Sequence, residues 1–444
     1  MADKPTGKSR STEQIQADHT IRALGGADEV GIVRSGQPEE IQYIYRKGCI
    51  LVREEAVAEV RSILDRYEDN VRRRRRGADR DDRTDTPPPS RERDRVENVV
   101  SGVRLLRLRG GLETHDALDL IRVGNEDFDI PGLGAGMCAP DHAVHISGDA
   151  VTCPATEPEP IGPGGAPYPP MAADPSAGAG IKVLVIDTGL DTEMSTTPFW
   201  MRGVTGETDP LVGPGRVLDP YAGHGTFIAG LVRAVAPRAE VRVLSFFNRG
   251  GATWESTLVQ NLDRALADEH PDVISMSAGT RSYPGGLLAF NVWGEQRLRH
   301  HKGVALVVAA GNDGDRQFFW PAAAPFTVSV GALDTDWRSR ADYSNFGGWV
   351  DVYAPGTELV NAFPEGKFTY QEHPNIPPAL PQPRVETFEG MAMWSGTSFS
   401  TPIVAGLIAA RMSRTGENGR AAAAALLTEA RAQAVPGVGA VLLP

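Results

Sequence analysis

Apolar and polar positions change texture near residue 180. Downstream, short unbroken apolar runs recur at Lys182–Ile186, Val241–Phe246, Asp272–Met276, Val304–Ala309 and Thr327–Val330. Runs of that length read as strands buried on both faces. Between them, His224–Val235, Ser256–Glu269 and Leu288–His300 carry apolar residues at helical spacing. Buried strands alternating with helices predict an α/β fold over 181–444, with a doubly wound, mostly parallel sheet. Reactive groups in such a sheet gather at the carboxyl ends of the strands.

Upstream the pattern is that of a small α+β domain over 28–150. Ile41–Arg53 is rich in β-branched and aromatic residues and predicts a strand, with a break near Gly48. Val57, Val60, Ile63 and Leu64 mark a helix over Glu54–Tyr67. Val103–Leu108 predicts a strand, Glu113–Val123 a second helix, and Ala143–Ile146 a last strand. This β-α-β-α-β order suits a ferredoxin-like sandwich. Residues 1–27 are polar and predicted disordered. The charged, proline-bearing stretch 72–95 has almost no apolar residue, so it is expected to be a solvated insert. Residues 151–180, rich in Pro, Gly and Ala, predict an exposed interdomain linker.

Charge and cysteine content narrow the classes. The 444 residues carry a net charge of -12. That balance argues against nucleic acid as the main partner, because phosphate binding needs clustered Lys and Arg. Cys49, Cys138 and Cys153 fit no metal or redox spacing. They read as reduced structural thiols, with a Cys138–Cys153 bridge as the alternative for an exported protein. The N-terminal stretch has no apolar core of signal-peptide length, and no run reaches a membrane span of roughly 18 residues. A cytoplasmic protein without membrane attachment is therefore expected.

Four segments carry chemistry. Asp187 closes the apolar run KVLVID and is followed by Thr188-Gly189. Alone it reads as a turn or cap residue. His224 opens HGTFIAG at the start of an apolar helix. Ser398 lies in SGTSFSTPIVAG, just before another apolar helix with Pro402 expected in its first turn. A helix N-terminus presents N–H groups to a developing negative charge. A serine there needs a base for its proton, and the base needs an orienting carboxylate. His224 and Asp187 supply those roles. Asn312, in AAGNDG, adds a side-chain amide after a buried strand that can donate to an oxyanion.

These motifs, in the order Asp, His, Ser, resemble the subtilisin-like serine proteases over about 181–415. The resemblance implies a serine endopeptidase that acts through an acyl-enzyme on protein or peptide substrates, with no cofactor and no catalytic metal. It gives Ser398 the nucleophile's role, His224 the base's and Asp187 the orienting carboxylate's. Asn312 and the Ser398 N–H become the oxyanion donors. Ser277, Ala278 and Gly279 match the strand that walls the specificity pocket. Arg249, Gly250 and Gly251 fall near the opposite substrate-flanking strand. Two departures stand out. Phe227 occupies a position where relatives often carry a second histidine, and the loop that often binds calcium is shortened.

Three questions stay open at this level. The aromatic stretch Gln317–Trp320 either fills the base of the specificity pocket or packs in the core. Residues 364–390 form either a lid over the site or a surface excursion. Relatives often carry an N-terminal propeptide, so the N-terminal domain is either a cleavable inhibitor or a permanent module that awaits an activating partner. An inactive scaffold is the remaining reading.

Overall fold

The computed structural model describes residues 12–35, 40–78, 96–108, 112–146, 155–161, 168–194, 198–247, 249–371 and 384–444. Cys153 and residues 79–95 lie outside that set, and with them the alternative Cys138–Cys153 bridge and most of the charged insert.

The N-terminal part is built on one antiparallel sheet. Its strands are β1 (Val30–Ser35), β2 (Glu40–Arg53), β3 (Val96–Val100), β4 (Val103–Arg107) and β5 (Cys138–His145), with helices α2 (Val57–Ala78) and α3 (Thr114–Val123) between them. The order across the sheet is β5-β2-β4-β3, with β1 also beside β2. Alternation along β2 explains its two buried faces. Ile50 and Val52 meet Val60, Leu64, Leu118 and Ile121 of α2 and α3. Cys49 and Leu51 turn instead into the main core of the molecule. Burial pushes the Cys138 thiol up to about 12, and that of Cys49 upward as well, which suppresses thiolate chemistry at both.

Several expectations are corrected here. The segment expected to hold one strand is a hairpin, β3-β4, turning at Ser101-Gly102. Strand β2 runs unbroken past Gly48, whose φ of +64° absorbs an irregularity in the pairing with β5. Residues 12–23 are not disordered but form helix α1 (Thr12–Ala23). Its Ala17 and Ile21, one turn apart, pack with Leu24 against Val30, Ile41, Ile44 and Trp254. Arg72–Ala78, placed by sequence in the insert, continue α2. Arginine is a good helix former, and Arg72 pairs with Glu68 one turn back while Arg74 lies over the Phe128 ring.

The larger part carries a parallel sheet. Its strands are β6 (Lys182–Asp187), β7 (Glu240–Ser245), β9 (Val273–Met276), β10 (Ala305–Ala309), β11 (Val328–Leu333) and β12 (Val352–Pro355). They stand in the order β12-β11-β10-β9-β6-β7, with a two-residue strand at Thr205–Gly206 beyond β7. The chain runs from β6 outward to β7, then crosses to β9 and builds the other way. The reversal falls between β6 and β9, where a crevice opens at the carboxyl ends. Helices α4 (His224–Val235), α5 (Glu255–Glu269), α6 (Leu288–Gln296) and α7 (Thr397–Thr415) cover the sheet. Helix α7 is buried along most of its length, as its apolar sequence requires.

One strand joins the two parts. Strand β8 (Ala252–Trp254) leaves the larger part and pairs antiparallel with Ala143–His145 of β5. The linker is not simply exposed either. Ala155 and Glu159 pair with Ser395 and Met393, alongside strand β13 (Met391–Trp394), and Glu157 is buried where it accepts from the Gln371 N–H. Proline-rich chain is extended and leaves its backbone groups free for such pairing. The described part of 364–390 forms a short hairpin, Gly366–Thr369 with Val385–Phe388. Its Phe368 and Phe388 are buried, so it is no polar excursion.

Candidate active site

Asp187 ends β6, and Thr188-Gly189 turns the chain at once. His224 is the first residue of α4. Its Nδ1 meets Asp187 Oδ1 at 2.8 Å, and the Thr188 N–H donates to the same oxygen at 2.8 Å. Both side chains are fully buried. Since Nδ1 holds the proton shared with the carboxylate, Nε2 carries the lone pair. Nε2 has no hydrogen-bond partner among the described residues. The imidazole is wedged edge-on to Trp394 and against Phe399, and Phe227 packs on the same two rings. Phe227 thus holds the ring by packing alone.

A buried carboxylate ties the loops of both residues together. Asp209 accepts from Thr188 Oγ1 at 3.1 Å, from the Gly223 N–H at 2.8 Å and from the Leu211 N–H at 2.9 Å. Burial pushes its pKa up to about 7 despite those three bonds, and the charge of Asp187 adds to the rise. No sequence motif marks Asp209.

Ser398 is the second residue of α7, behind Gly396 with φ 157°. Pro402 sits in the second turn rather than the first, which corrects the expectation. A proline there has no N–H for the carbonyl four residues back, which is that of Ser398. The orphaned carbonyl is met from outside the helix, by Ser277 Oγ at 2.9 Å. So Ser277, expected only as a pocket wall, also anchors the turn that carries Ser398.

Asn312 lies next to Ser398 through Thr397. The Thr397 N–H and Oγ1 both meet Asn312 Oδ1 at 2.9 Å. A backbone N–H can only donate, so the amide atom facing it is the oxygen and the –NH2 end points elsewhere. Asn312 and Ser398 line one cavity together with Ser277, Ala278 and Gly279. Among the described residues no three His, Cys, Asp or Glu side chains gather as metal ligands would.

Beside this site the groove is occupied by the chain itself. His145 pairs with Gly279 in both directions, at 3.1 and 2.8 Å, and the Ile146 N–H donates to Gly251 O at 3.0 Å. A Cβ on Gly251 would lie 2.8 Å from Ile146, so glycine is what lets the strand lie flat. Gly250 instead faces His19 and Ala23 of α1, and the Arg249 side chain is not described. Of the six expected substrate-binding residues, then, Ser277, Ala278, Gly279 and Gly251 line the groove and Gly250 does not face it.

The occupying strand is held by buried polar contacts. Asp141 accepts from the Ser256 N–H at 2.9 Å and from Ser256 Oγ at 2.7 Å, at the start of α5. Trp254, the residue before that helix, offers no side-chain cap, so Asp141 caps α5 from the other part of the molecule. His142 meets Glu255 at 2.9 Å, and Glu255 in turn accepts from the Ala289 N–H at the start of α6. All three side chains are fully buried. Burial pushes Asp141 up to about 6, against the pull of the Ser256 bonds and Arg46 and with the charge of Glu255.

The Subtilase family profile matches residues 178–439, more than half of the chain. The chain is 28% identical over 254 residues to "Intracellular serine protease" of Paenibacillus polymyxa, over 54% of this chain and 69% of that one. It is 31% identical over 270 residues to "Thermitase" of Thermoactinomyces vulgaris, over 57% and 83% respectively. With "Subtilisin E" of Bacillus subtilis it shares 27% identity over 263 residues, and it spans only 59% of that protein. A solved structure described as a cold adapted subtilisin-like serine proteinase overlaps 60% of this chain and 89% of its own, with a TM-score of 0.46 and 24% identity. No helix among the described residues is long and apolar enough to cross a membrane.

Proposed function

Because this chain belongs to the subtilase family, a family of serine proteases, we propose that it is an endopeptidase held latent by its own N-terminal domain. Asp187, His224 and Ser398 are its triad. The observation that carries the reading is the buried 2.8 Å contact between Asp187 and His224 Nδ1, beside an Nε2 with no partner among the described residues.

His224 Nε2 takes the Ser398 proton as Ser398 Oγ bonds to the scissile carbonyl carbon. The carbonyl oxygen becomes an oxyanion, held by the Asn312 amide and the Ser398 N–H. Collapse expels the amine, which takes the proton from His224 and leaves an acyl-enzyme. Water, deprotonated by His224, hydrolyses that ester and restores Ser398. Asp187 keeps the imidazole in the Nδ1–H tautomer and stabilises the imidazolium between the two transfers. Losing a donor such as the Asn312 amide costs roughly 3–4 kcal/mol of transition-state stabilisation.

The N-terminal domain, read as ferredoxin-like, is the inhibitor. Pairing of His145 with Gly279 and of Ile146 with Gly251 is how an extended peptide substrate would add to these strands. A protein that fills its own groove this way excludes other peptides until the strand leaves.

The test compares wild type with Ser398→Ala by intact mass and fluorophosphonate labelling. Wild type is expected to label at Ser398 and to be cut within residues 147–154, just past the docked strand. Ser398→Ala is expected to stay whole and unlabelled. Equal cutting of both chains would sink the proposal of self-processing. A wild type that stays whole yet labels would make the N-terminal domain a permanent regulator.

A further inference from the structure

Phe319 narrows the cavity beside Ser398. Phe319 is 3% exposed, and its ring lines the cavity between two glycines, Gly279 and Gly311. A Cβ on Gly279 would fall 2.2 Å from the Phe319 ring, and one on Gly311 would fall 2.9 Å from it. Both walls are therefore pressed onto the ring as closely as backbone permits. The ring cannot swing aside on a loose loop. Trp320, its neighbour, pairs with Thr280 in both directions, at 2.7 and 2.8 Å, which fastens this segment to the wall strand. With His145 and Ile146 of the docked strand also lining it, what remains is a cavity of about 10 Å³. A single water needs roughly 10–15 Å³ of such space.

We infer that Phe319 is the specificity-determining residue and that the enzyme cleaves after glycine, alanine or serine. The inference rests on the peptidase reading and names its substrate class. When Ser398 Oγ attacks a carbonyl whose oxygen points at Asn312, the side chain of the acyl-side residue is directed into the cavity that these two residues line. Once His145 and Ile146 leave with the docked strand, the space they vacate in front of the Phe319 ring suits a methyl or hydroxymethyl group. The branched carbons of leucine or the ring of phenylalanine would have to displace a ring already in contact with both walls. Even one surplus methylene in a fitted pocket is discriminated about 10- to 200-fold. Larger side chains bring several surplus atoms, and packed interiors do not yield to them cheaply. Of the two sequence-level readings of Gln317–Trp320, this is the pocket-filling one, and it assigns the role to Phe319 alone.

The test uses the full chain, its active fraction counted by fluorophosphonate labelling of Ser398. Peptides identical except for the acyl-side residue (Gly, Ala, Ser, Leu or Phe) are compared by kcat/KM. Wild type is expected to favour Ala and Ser over Leu and Phe by at least ~100-fold. Phe319→Ala is expected to raise kcat/KM for Leu and Phe at least ~10-fold without a matching gain for Ala. Cleavage sites in a denatured protein, mapped by mass spectrometry, give the wild-type preference even if the variant does not fold. Should wild type neither label nor cleave, the series is run on Ile146→Asp, whose charge unseats the docked strand. Labelling at Ser398 with Leu or Phe cleaved as well as Ala overturns this inference and leaves the peptidase reading standing. Absence of labelling in both proteins overturns the peptidase reading itself.

Discussion

Asp141→Ala should loosen the strand that fills the groove without disturbing the parallel sheet. The carboxylate accepts two hydrogen bonds from Ser256, at 2.9 and 2.7 Å, and caps α5 across the interface. Bonds to an ionised acceptor contribute ~1.5–3 kcal/mol each. Part of that is offset by burial. The Asp141 pKa stands at about 6 against ~3.9 for a free aspartate, a rise that persists with the Ser256 bonds in place. Leaving the buried Ser256 donors without their acceptor costs ~1–3 kcal/mol, and the middle of that range, ~2 kcal/mol, is ~30-fold in the docking equilibrium. Asp141→Asn keeps the shape and one acceptor, so it should cost less than the alanine. The assay is hydrogen exchange in the full chain carrying Ser398→Ala, at about pH 8, where Asp141 is ionised. Protection at the Ile146 and Gly279 amides should fall ~30-fold with the alanine. Amides of Val183–Ile186, deep in the sheet, should keep theirs. Protection at Ile146 within threefold of the parent would refute the argument. An equal loss throughout β6 would do the same, because it would mean global weakening.

Other consequences can be checked alongside. Ser277→Ala leaves the Ser398 carbonyl, already deprived of a helical donor by Pro402, buried without a partner. It should cost about 1–3 kcal/mol, seen as a lower melting temperature and slower fluorophosphonate labelling of Ser398; unchanged values in both would refute it. Asp209 has a folded-state pKa of about 7, above the ~3.9 of an unfolded aspartate. Its contribution to stability is thus complete below about pH 4 and is lost as pH rises through about 7. Asp209→Asn, in a Ser398→Ala background, should therefore lose less melting temperature than its parent between pH 5 and pH 8. Parallel losses in the two proteins would contradict the assignment.

What the sequence disclosed, and what it withheld, follow from the range of the interactions. The strands at Lys182–Asp187 and Ala305–Ala309 are buried on both faces, so an unbroken apolar run announces them. Asp187, His224, Asn312 and Ser398 sit in local motifs whose neighbours (Thr188, Gly223, Gly311 and Thr397) form the turns around them, and those turns are visible as strings of residues. Asp209, Asp141 and Glu255 act through partners far away in the chain, and an acidic residue buried by distant contacts looks like any surface acid in sequence. Helix α1 escaped notice because its apolar contacts are few. The linker at 155–161 escaped for the opposite reason, since its composition is that of exposed chain while its pairing partners lie more than two hundred residues on. Phe319 was visible as part of an aromatic stretch, yet only the two facing glycines single it out from Phe318 and Trp320.

Docking of residues 155–161 along β13 has a kinetic meaning. In the intact chain the docked strand and the groove belong to one molecule, and residues 155–161, which follow the strand in sequence, are themselves fastened down beside the peptidase part. The strand is then present at a high effective concentration whatever the protein concentration, and dilution cannot release it. A cut between Ile146 and Ala155 removes the covalent link but leaves residues 155–161 paired to the peptidase part. The N-terminal part is from that moment a separate molecule, and its return becomes second order. Activity after the cut would then emerge on dilution, and a crowded compartment would stay quiet longer than a sparse one. If the N-terminal domain is the inhibitor proposed above, the seat of 155–161 would make a single covalent event a switch that reads concentration.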